Sequence, residues 1–202
     1  MAKQHVALYV TGSIAAYKAL TLTRLLIKSG AAVRVVMTKA AEAFVTPLSF
    51  QVLSKNAVAT EMFAGTQVKA VDHIELADWT DLAVVAPASA DIIGKLANGI
   101  ADDMASLTLM ATTAPKLVVP AMNQHMLDSA ATNRNIAQLK QDGVTVMTPA
   151  TGFLAEGYSG RGRMPEPAAI MQQIETLRPQ TTPLTGKKST GNRAVLVNRV
   201  ES

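Results

Sequence analysis

Two short segments combine small residues with hydroxyl groups at points where a ligand could meet the backbone. The first, TGSIAAYK at 11–18, places Gly12 and Ser13 directly before a helical pattern. Glycine permits a tight turn there, and the free amides of a first helical turn favour a phosphate. The spacing is neither that of a dinucleotide fingerprint nor that of a P-loop, so an ordinary capped turn is an equally open interpretation.

The second segment, APASAD at 86–91, follows a predicted central strand and offers Ser89 and Asp91 as helix caps or ligands. Small residues at a strand end let a flat ligand approach the backbone, and Pro87 is predicted to fix the turn. Two such turns in one sheet indicate a bound mononucleotide phosphate. Close packing of a helix on the sheet is the alternative interpretation.

A third segment, PAMNQHM at 120–126, also comes directly after a predicted strand. Asn123 can both donate and accept hydrogen bonds, which suits recognition of a carboxylate or an amide. An asparagine is also a common turn residue, so a purely structural role stays open.

Cationic side chains are concentrated in GFLAEGYSGRGRMPEP at 152–167, which contains four glycines together with Arg161 and Arg163. This composition predicts a flexible loop that closes over an anionic substrate, with the arginines on a phosphate. A solvated connection between elements is the other possibility.

The three histidines, His5, His73 and His125, are well separated in the sequence, and the chain has no cysteine. A lone histidine is more often structural or exposed than catalytic. No second histidine or cysteine stands at ligand spacing, so no metal site and no disulfide is predicted.

The elements that must position these segments alternate between strand and helix. We therefore predict an α/β fold, a doubly wound parallel sheet of the flavodoxin-like or Rossmann-like kind in a three-layer sandwich, with ligands outside the carboxyl ends of the strands. The predicted strands are 5–11, 32–37, 81–86, 116–120 and 144–147, and the predicted helices are 14–29, 38–53 with a second piece from Pro47, 90–98, 103–112, 128–141 and 166–177.

Composition limits the class of protein. With 202 residues, 49% hydrophobic and 17% charged, the chain suits one compact domain, predicted over 1–178. The rest, 179–202, is predicted to be a flexible tail that resembles the start of a linker to a synthetase domain. The net charge of +4 forms no basic stripe with stacking aromatics, which argues against nucleic-acid binding. No apolar run reaches membrane length, so a cytoplasmic location is expected.

Four segments in order, TGSIAAYK, HIELADW with APASAD, PAMNQHM and GFLAEGYSGRGRMPEP, resemble the homo-oligomeric flavin-containing cysteine decarboxylases over about residues 3–177. The resemblance implies that His73 is the active-site histidine. It also implies that Asn123 binds the substrate carboxylate and that Met126 lies beside it as a second substrate-binding residue. The residues that would hold FMN are Gly12, Ser13, Ile14, Thr38, Ser89, Ala90, Asp91 and Ala121.

Within that family, the resemblance points to members that act on 4′-phosphopantothenoylcysteine in coenzyme A biosynthesis. Oxidation of the cysteine thiol by FMN would create the electron sink that decarboxylation needs, with His73 assisting proton removal. Glu156 stands where many members have a proton-donating cysteine. Either Glu156 takes that role with a pKa raised by burial, or the reaction stops at the oxidised enethiol. Assembly as trimers or dodecamers is implied, and a synthetase partner is possible.

Three other functions fit parts of the pattern. An oxidative decarboxylase for the C-terminal cysteine of a peptide would need a peptide groove. A flavin prenyltransferase shares the sheet, but the PAMN and HIEL segments argue against it. A non-catalytic FMN-binding regulatory subunit usually carries acidic extensions, and this sequence has none.

Overall fold

The computed structural model describes residues 4–61, 72–153 and 157–177, which form a central six-stranded parallel sheet with the strand order β3-β2-β1-β4-β5-β6. This is the Rossmann order, in which the direction of winding reverses between β1 and β4. The predicted doubly wound α/β fold is confirmed. The strands are β1 (His5–Val10), β2 (Ala32–Met37), β3 (Val58–Ala59), β4 (Leu82–Ala88), β5 (Lys116–Pro120) and β6 (Thr145–Val146).

Helices cover both faces of the sheet and complete the predicted three-layer sandwich. One face is covered by α1 (Ala16–Lys28), α2 (Pro47–Ser54) and α8 (Pro167–Leu177). The other is covered by α3 (Asp72–Trp79), α4 (Ala90–Asn98), α5 (Met104–Ala111) and α7 (Ala130–Gln141). A short helix, α6 (Gln124–Asp128), precedes α7. Within the part of the chain that is described, no helix is long and apolar enough to cross a membrane.

The continuous apolar strands explain why the sheet is covered on both sides. In β1, Leu8 and Val10 pack towards α1, whereas Ala7 and Tyr9 pack towards α4 and α5, and all four are fully buried. Side chains on a strand alternate between the two faces, so a strand that is apolar throughout requires a helix layer on each side.

A buried threonine joins β1 to β4 at the point where the winding reverses. The Thr11 hydroxyl donates to the Pro87 carbonyl oxygen at 2.8 Å and accepts from the Ser89 amide at 2.9 Å. The Thr11 amide also donates to the Pro87 carbonyl oxygen, at 3.3 Å. The turns after these two neighbouring strands are therefore held in a fixed relation to each other.

We expect Thr11→Val to destabilise the protein by about 1–3 kcal/mol, because the partly buried Ser89 amide loses its acceptor and the buried Pro87 carbonyl oxygen loses a donor. Thr23→Val is the matched control: Thr23 is also fully buried, but its hydroxyl only donates back to the Ala19 carbonyl oxygen of the same helix. Chemical denaturation of both variants gives the two free energies of unfolding. Equal losses would contradict the proposed joining role of Thr11.

Several predicted boundaries are wrong at element ends. Pro87 lies inside β4, which continues to Ala88, rather than in the turn after it. The helix predicted over 38–53 is a short 3₁₀ turn (Ala41–Ala43) followed by α2. The helix predicted from 128 is divided at Ser129, which ends α6 and caps α7 through its hydroxyl.

The segment predicted as a flexible loop is instead an antiparallel β-hairpin of β7 (Ala150–Phe153) and β8 (Ser159–Arg163). In β8 the two glycines face inward and the flanking Ser159, Arg161 and Arg163 face outward. We refer to residues 150–153 and 157–163 as the hairpin.

Candidate active site

A cavity of about 540 Å³ lies at the carboxyl ends of β1, β4 and β5, where the winding of the sheet reverses. This is the position at which doubly wound sheets bind ligands. The hairpin closes one side of the cavity. The lining residues are Gly12, Ser13, Ile14, Ala15, Tyr17, Lys18, Ser89, Ala90, Ala121, Met122, Asn123, Met126, Phe153, Gly162, Arg163 and Met164.

The amino ends of two helices open onto this cavity. Before α1, the Ser13 hydroxyl accepts from the Ala15 amide at 3.2 Å. Before α4, the Ser89 hydroxyl accepts from the Ile92 amide at 3.3 Å and caps the helix. A Cβ at Gly12 would lie 2.6 Å from the Ala40 Cβ, so only glycine fits this tight turn. Together the two helix ends present a positive potential suited to an anion.

Two cations on the cavity wall share one carboxylate. The buried Lys18 ammonium donates to Glu166 Oε1 at 2.7 Å and to the Met164 carbonyl oxygen at 2.9 Å. Arg163 Nη2 lies 3.4 Å from the same Glu166 Oε1. The hydrogen bond from Lys18, with a smaller contribution from Arg163, holds the pKa of Glu166 below its usual value of 4.5. This group of three side chains therefore keeps a net positive charge at neutral pH.

Asn123 lies on the cavity wall with its side-chain amide in a defined orientation. Its Oδ1 accepts from the His125 amide at 2.8 Å and caps α6. Its Nδ2 donates to the Tyr158 hydroxyl of the hairpin at 3.0 Å. The donor group of Asn123 therefore faces the hairpin side of the cavity.

Large apolar side chains at the cavity are unusually exposed. Ile14, Tyr17, Met126 and Phe153 have between 49% and 70% of their surface accessible. Exposed apolar clusters of this kind mark surfaces that bind a ligand or another chain. Beside the two helix ends they fit a ligand with a phosphate and a flat ring system.

Most of the predicted site residues lie in this one cavity. Those brought together are Gly12, Ser13, Ile14, Ser89, Ala90, Ala121, Asn123, Met126 and Arg163. Glu156 lies outside the described residues, so its predicted role as proton donor stays a prediction.

Four further predicted residues do not line the cavity: Thr38, Arg161, His73 and Asp91. Thr38 follows β2, and its hydroxyl is buried without a hydrogen-bond partner among the residues that the structure describes. Arg161 pairs with Asp128 at 2.6 Å. His73 lies in the first turn of α3 and is partly exposed.

Asp91 turns towards a neighbouring charge cluster instead of the cavity. Its carboxylate lies 3.3 Å from Lys95 Nζ, which also contacts Asp102 and Asp103, each at 2.9 Å. Partial burial alone would lower the pKa of Lys95, but hydrogen bonds to Asp102 and Asp103 outweigh it and raise that pKa. In the described structure Asp91 therefore supports the junction of α4 and α5.

Sequence reasoning missed several lining residues. Lys18 belongs to the TGSIAAYK segment but received no role, because its contact with Glu166 spans 148 positions. Phe153 and Gly162 were not singled out in the glycine-rich segment. The alternation of glycine with serine and arginine over 159–163 was the available signal for a strand there.

The fold and the cavity together define a doubly wound α/β protein with two helix amino ends and the Asn123 side chain at one cavity, which suits an anionic ligand. Comparison with known proteins gives the family: the chain belongs to the flavoprotein family, whose model matches residues 1–178. The resemblance stated from the sequence is confirmed.

Individual relatives and solved structures show which members of the family this chain is similar to. The chain is 50% identical to the coenzyme A biosynthesis bifunctional protein CoaBC of Bacillus subtilis over 186 residues, which cover 91% of this chain and 46% of that protein. The chain thus spans less than half the length of that relative. A PPC decarboxylase variant in complex with pantothenoylaminoethenethiol is 33% identical, with a TM-score of 0.77, covering 87% of this chain and 98% of that one. The FMN-dependent cysteine decarboxylase SpaF is 28% identical, with a TM-score of 0.72, covering 87% and 98%.

Proposed function

We propose that this chain is an FMN-dependent decarboxylase that converts 4′-phosphopantothenoylcysteine into 4′-phosphopantetheine in coenzyme A biosynthesis. The observation that carries the proposal is the position of Asn123, which faces the same cavity as two helix amino ends. Two helix ends suited to a phosphate and a side-chain amide suited to a carboxylate thereby line one cavity, which supports the proposal. The likeness to PPC decarboxylase and to the bifunctional CoaBC protein supports this choice of substrate.

The donor groups of the cavity fit FMN. The turns at Gly12–Ser13 and Ser89–Ala90 would hold its phosphate, because their helix ends present free amides. Ile14 and Ala121 would pack against the flat ring, since both line the cavity with apolar atoms. When bound, FMN supplies the electron acceptor that allows a cysteine-derived acid to lose CO2.

Substrate binding is assigned to the hairpin side of the cavity. Asn123 would orient the carboxylate through its Nδ2 donor, and Met126 would pack beside it. Arg163 and Lys18 supply positive charge for the phosphate of the substrate. A role for Arg161 and Asp91 in ligand binding stays a prediction, because neither residue lines the cavity and each contacts an oppositely charged side chain.

His73 is proposed to assist proton transfer at the reacting cysteine. Since His73 does not line the cavity of its own chain, we propose that a homo-oligomer brings this histidine to the cavity of a neighbouring copy. We propose a trimer or a dodecamer as this assembly. We also propose that Glu156 is the proton donor of the reductive step. A synthetase partner and a cytoplasmic location are further parts of the proposal.

The experiment that tests this function is mass spectrometry of the product after the flavin-loaded protein is incubated with 4′-phosphopantothenoylcysteine. We expect the loss of CO2 alone, which corresponds to 4′-phosphopantetheine. Loss of CO2 together with two hydrogens would mean that the reductive half of the reaction is missing. No turnover of this compound, with turnover of a peptide ending in cysteine, would overturn the proposed substrate.

A further inference from the structure

A single carboxylate oxygen contacts both cations of the cavity wall. Glu166 Oε1 accepts from the Lys18 ammonium at 2.7 Å and lies 3.4 Å from Arg163 Nη2. The lysine belongs to α1, the arginine ends β8, and the glutamate directly precedes α8. Lys18 and Arg163 line the cavity, whereas Glu166 does not. An effect of this carboxylate on a ligand therefore acts through the two cations.

The backbone of Glu166 is fixed, although 63% of its side chain is exposed. Its carbonyl oxygen accepts from the Ala169 amide at 2.9 Å and from the Ile170 amide at 3.2 Å, in the first turn of α8. Ile170 is fully buried in the core cluster that also contains the inner face of α1. The carboxylate is thus attached to the rigid part of the fold, and the length of its side chain decides what it can reach.

The two cations are held in different ways. Lys18 is only 5% exposed, and its other acceptor is the Met164 carbonyl oxygen at 2.9 Å. A buried ammonium is costly without a counter-charge, so the contact with Glu166 matters to it. The Arg163 side chain passes over Gly152 of β7, where an added Cβ would lie 3.2 Å from Nη1. The guanidinium is therefore confined between the hairpin and the carboxylate.

We propose that Glu166 is a positioning residue, which holds Lys18 and Arg163 together as one binding site for the phosphate group of the substrate. The inference rests on the proposed function. Two cations repel each other, and a carboxylate between them lowers the cost of keeping them close. A phosphate accepts several hydrogen bonds at once and is bound best by donors at fixed positions. The three side chains keep a net charge of one positive unit for this purpose.

The test is Glu166→Asp in the full flavin-loaded protein. Aspartate keeps the charge but is one methylene group shorter, so from the same backbone position it cannot contact both cations. We expect KM for 4′-phosphopantothenoylcysteine to rise about 10-fold, with kcat changed by less than about 3-fold, because a charge-assisted contact to the phosphate is lost. The KM of pantothenoylcysteine, which lacks the phosphate, and the Kd of FMN should not change.

Two further variants complete the test. Glu166→Gln keeps the length of the side chain and an oxygen that accepts from Lys18, so KM should change by less than about 3-fold. Glu175→Asp is the matched control, because Glu175 is exposed on the same helix and does not line the cavity. A larger effect of Gln than of Asp would overturn the positioning role, since the charge alone would then matter.

The two substrates and the flavin distinguish the remaining outcomes. An equal rise in KM with and without the phosphate would reduce Glu166 to a structural support of α8. Weaker FMN binding with an unchanged KM would mean that the cations serve the phosphate of the flavin instead. If the unmodified protein fails to decarboxylate the substrate, the proposed function fails separately. Calorimetric binding of the two acids, with and without the phosphate, still tests Glu166 in that case.

Discussion

Replacing His73 by Asn should lower kcat for decarboxylation by about 10²–10⁴-fold, which is the usual contribution of a positioned acid–base group. The flavin content of the purified protein should stay the same, because the turns proposed to hold the FMN phosphate, Gly12–Ser13 and Ser89–Ala90, do not include His73. Asparagine keeps a similar size and polarity at the partly exposed start of α3, so the fold should tolerate the change. Steady-state kinetics and the flavin absorbance spectrum measure the two quantities.

The matched control for this prediction is His5→Asn at the opposite end of the sheet. His5 stacks on Trp79 with ring centroids 4.6 Å apart and lies near Asp81, far along β1 from the turn at Gly12. Its replacement should leave kcat unchanged. Full activity of His73→Asn would refute the catalytic role, and loss of flavin from that variant would show that His73 acts in cofactor binding instead.

The second large effect is expected from Gly162→Ala. Gly162 has a φ of +122°, and a Cβ there would overlap the carbonyl oxygen of Met122. Because Met122 is also the residue whose amide bonds to Gly162, the hairpin cannot keep this contact once the methyl group is added. We expect kcat/KM to fall by about 10–100-fold, which corresponds to a loss of about 1.4–2.8 kcal/mol of transition-state stabilisation.

Gly157→Ala is the control that distinguishes the steric overlap at Gly162 from the cost of placing a non-glycine residue at a positive φ. Gly157 also has a positive φ, +88°, but no atom of the described residues lies within 4 Å of a Cβ added there. Its substitution should cost only the conformational strain of about 1–2 kcal/mol in stability. Amide hydrogen exchange should show faster exchange across the hairpin in Gly162→Ala than in Gly157→Ala. Similar exchange and similar kinetics in the two variants would contradict the docking role of Gly162.

The sheet could be predicted from sequence because its strands are apolar throughout. β2 and β5 were predicted with their observed bounds, and β1 was extended by one residue. Local patterns also identified the small-residue turns, because a ligand-binding turn depends on residues that are adjacent in the chain. The two-residue strand β3 was missed, since a segment of that length has no detectable period.

The hairpin was not predicted, because glycine is rare in strands. In β8 the inward positions are Gly160 and Gly162, which supply no apolar side chain to reveal the alternation. Glycine is needed at 162 because the strand lies directly against the backbone of Met122. That requirement comes from a contact between residues 40 positions apart, which local sequence patterns do not encode.

Side-chain contacts explain why sequence reasoning missed some site residues and assigned to the cavity others that do not line it. The partners of Tyr158, Lys18 and Asp91 decide what each side chain does. Asn123 and Tyr158 are separated by 35 positions, and Lys18 and Glu166 by 148. Asp91, in contrast, meets a lysine only four positions away, and that nearby cation keeps it out of the cavity.

The attachment of the hairpin has a consequence for how this protein family diversifies. The turns after β1 and β4 are joined by the hydrogen bonds of Thr11. The hairpin instead forms hydrogen bonds to α6 and to Met122 just before it. Changes in 120–128 and in the hairpin can therefore accumulate together without disturbing the turns after β1 and β4. Transplanting both stretches between relatives should transfer the preference for the acid that is decarboxylated. Transplanting the hairpin alone would remove it from the residues of 120–128 with which it forms hydrogen bonds.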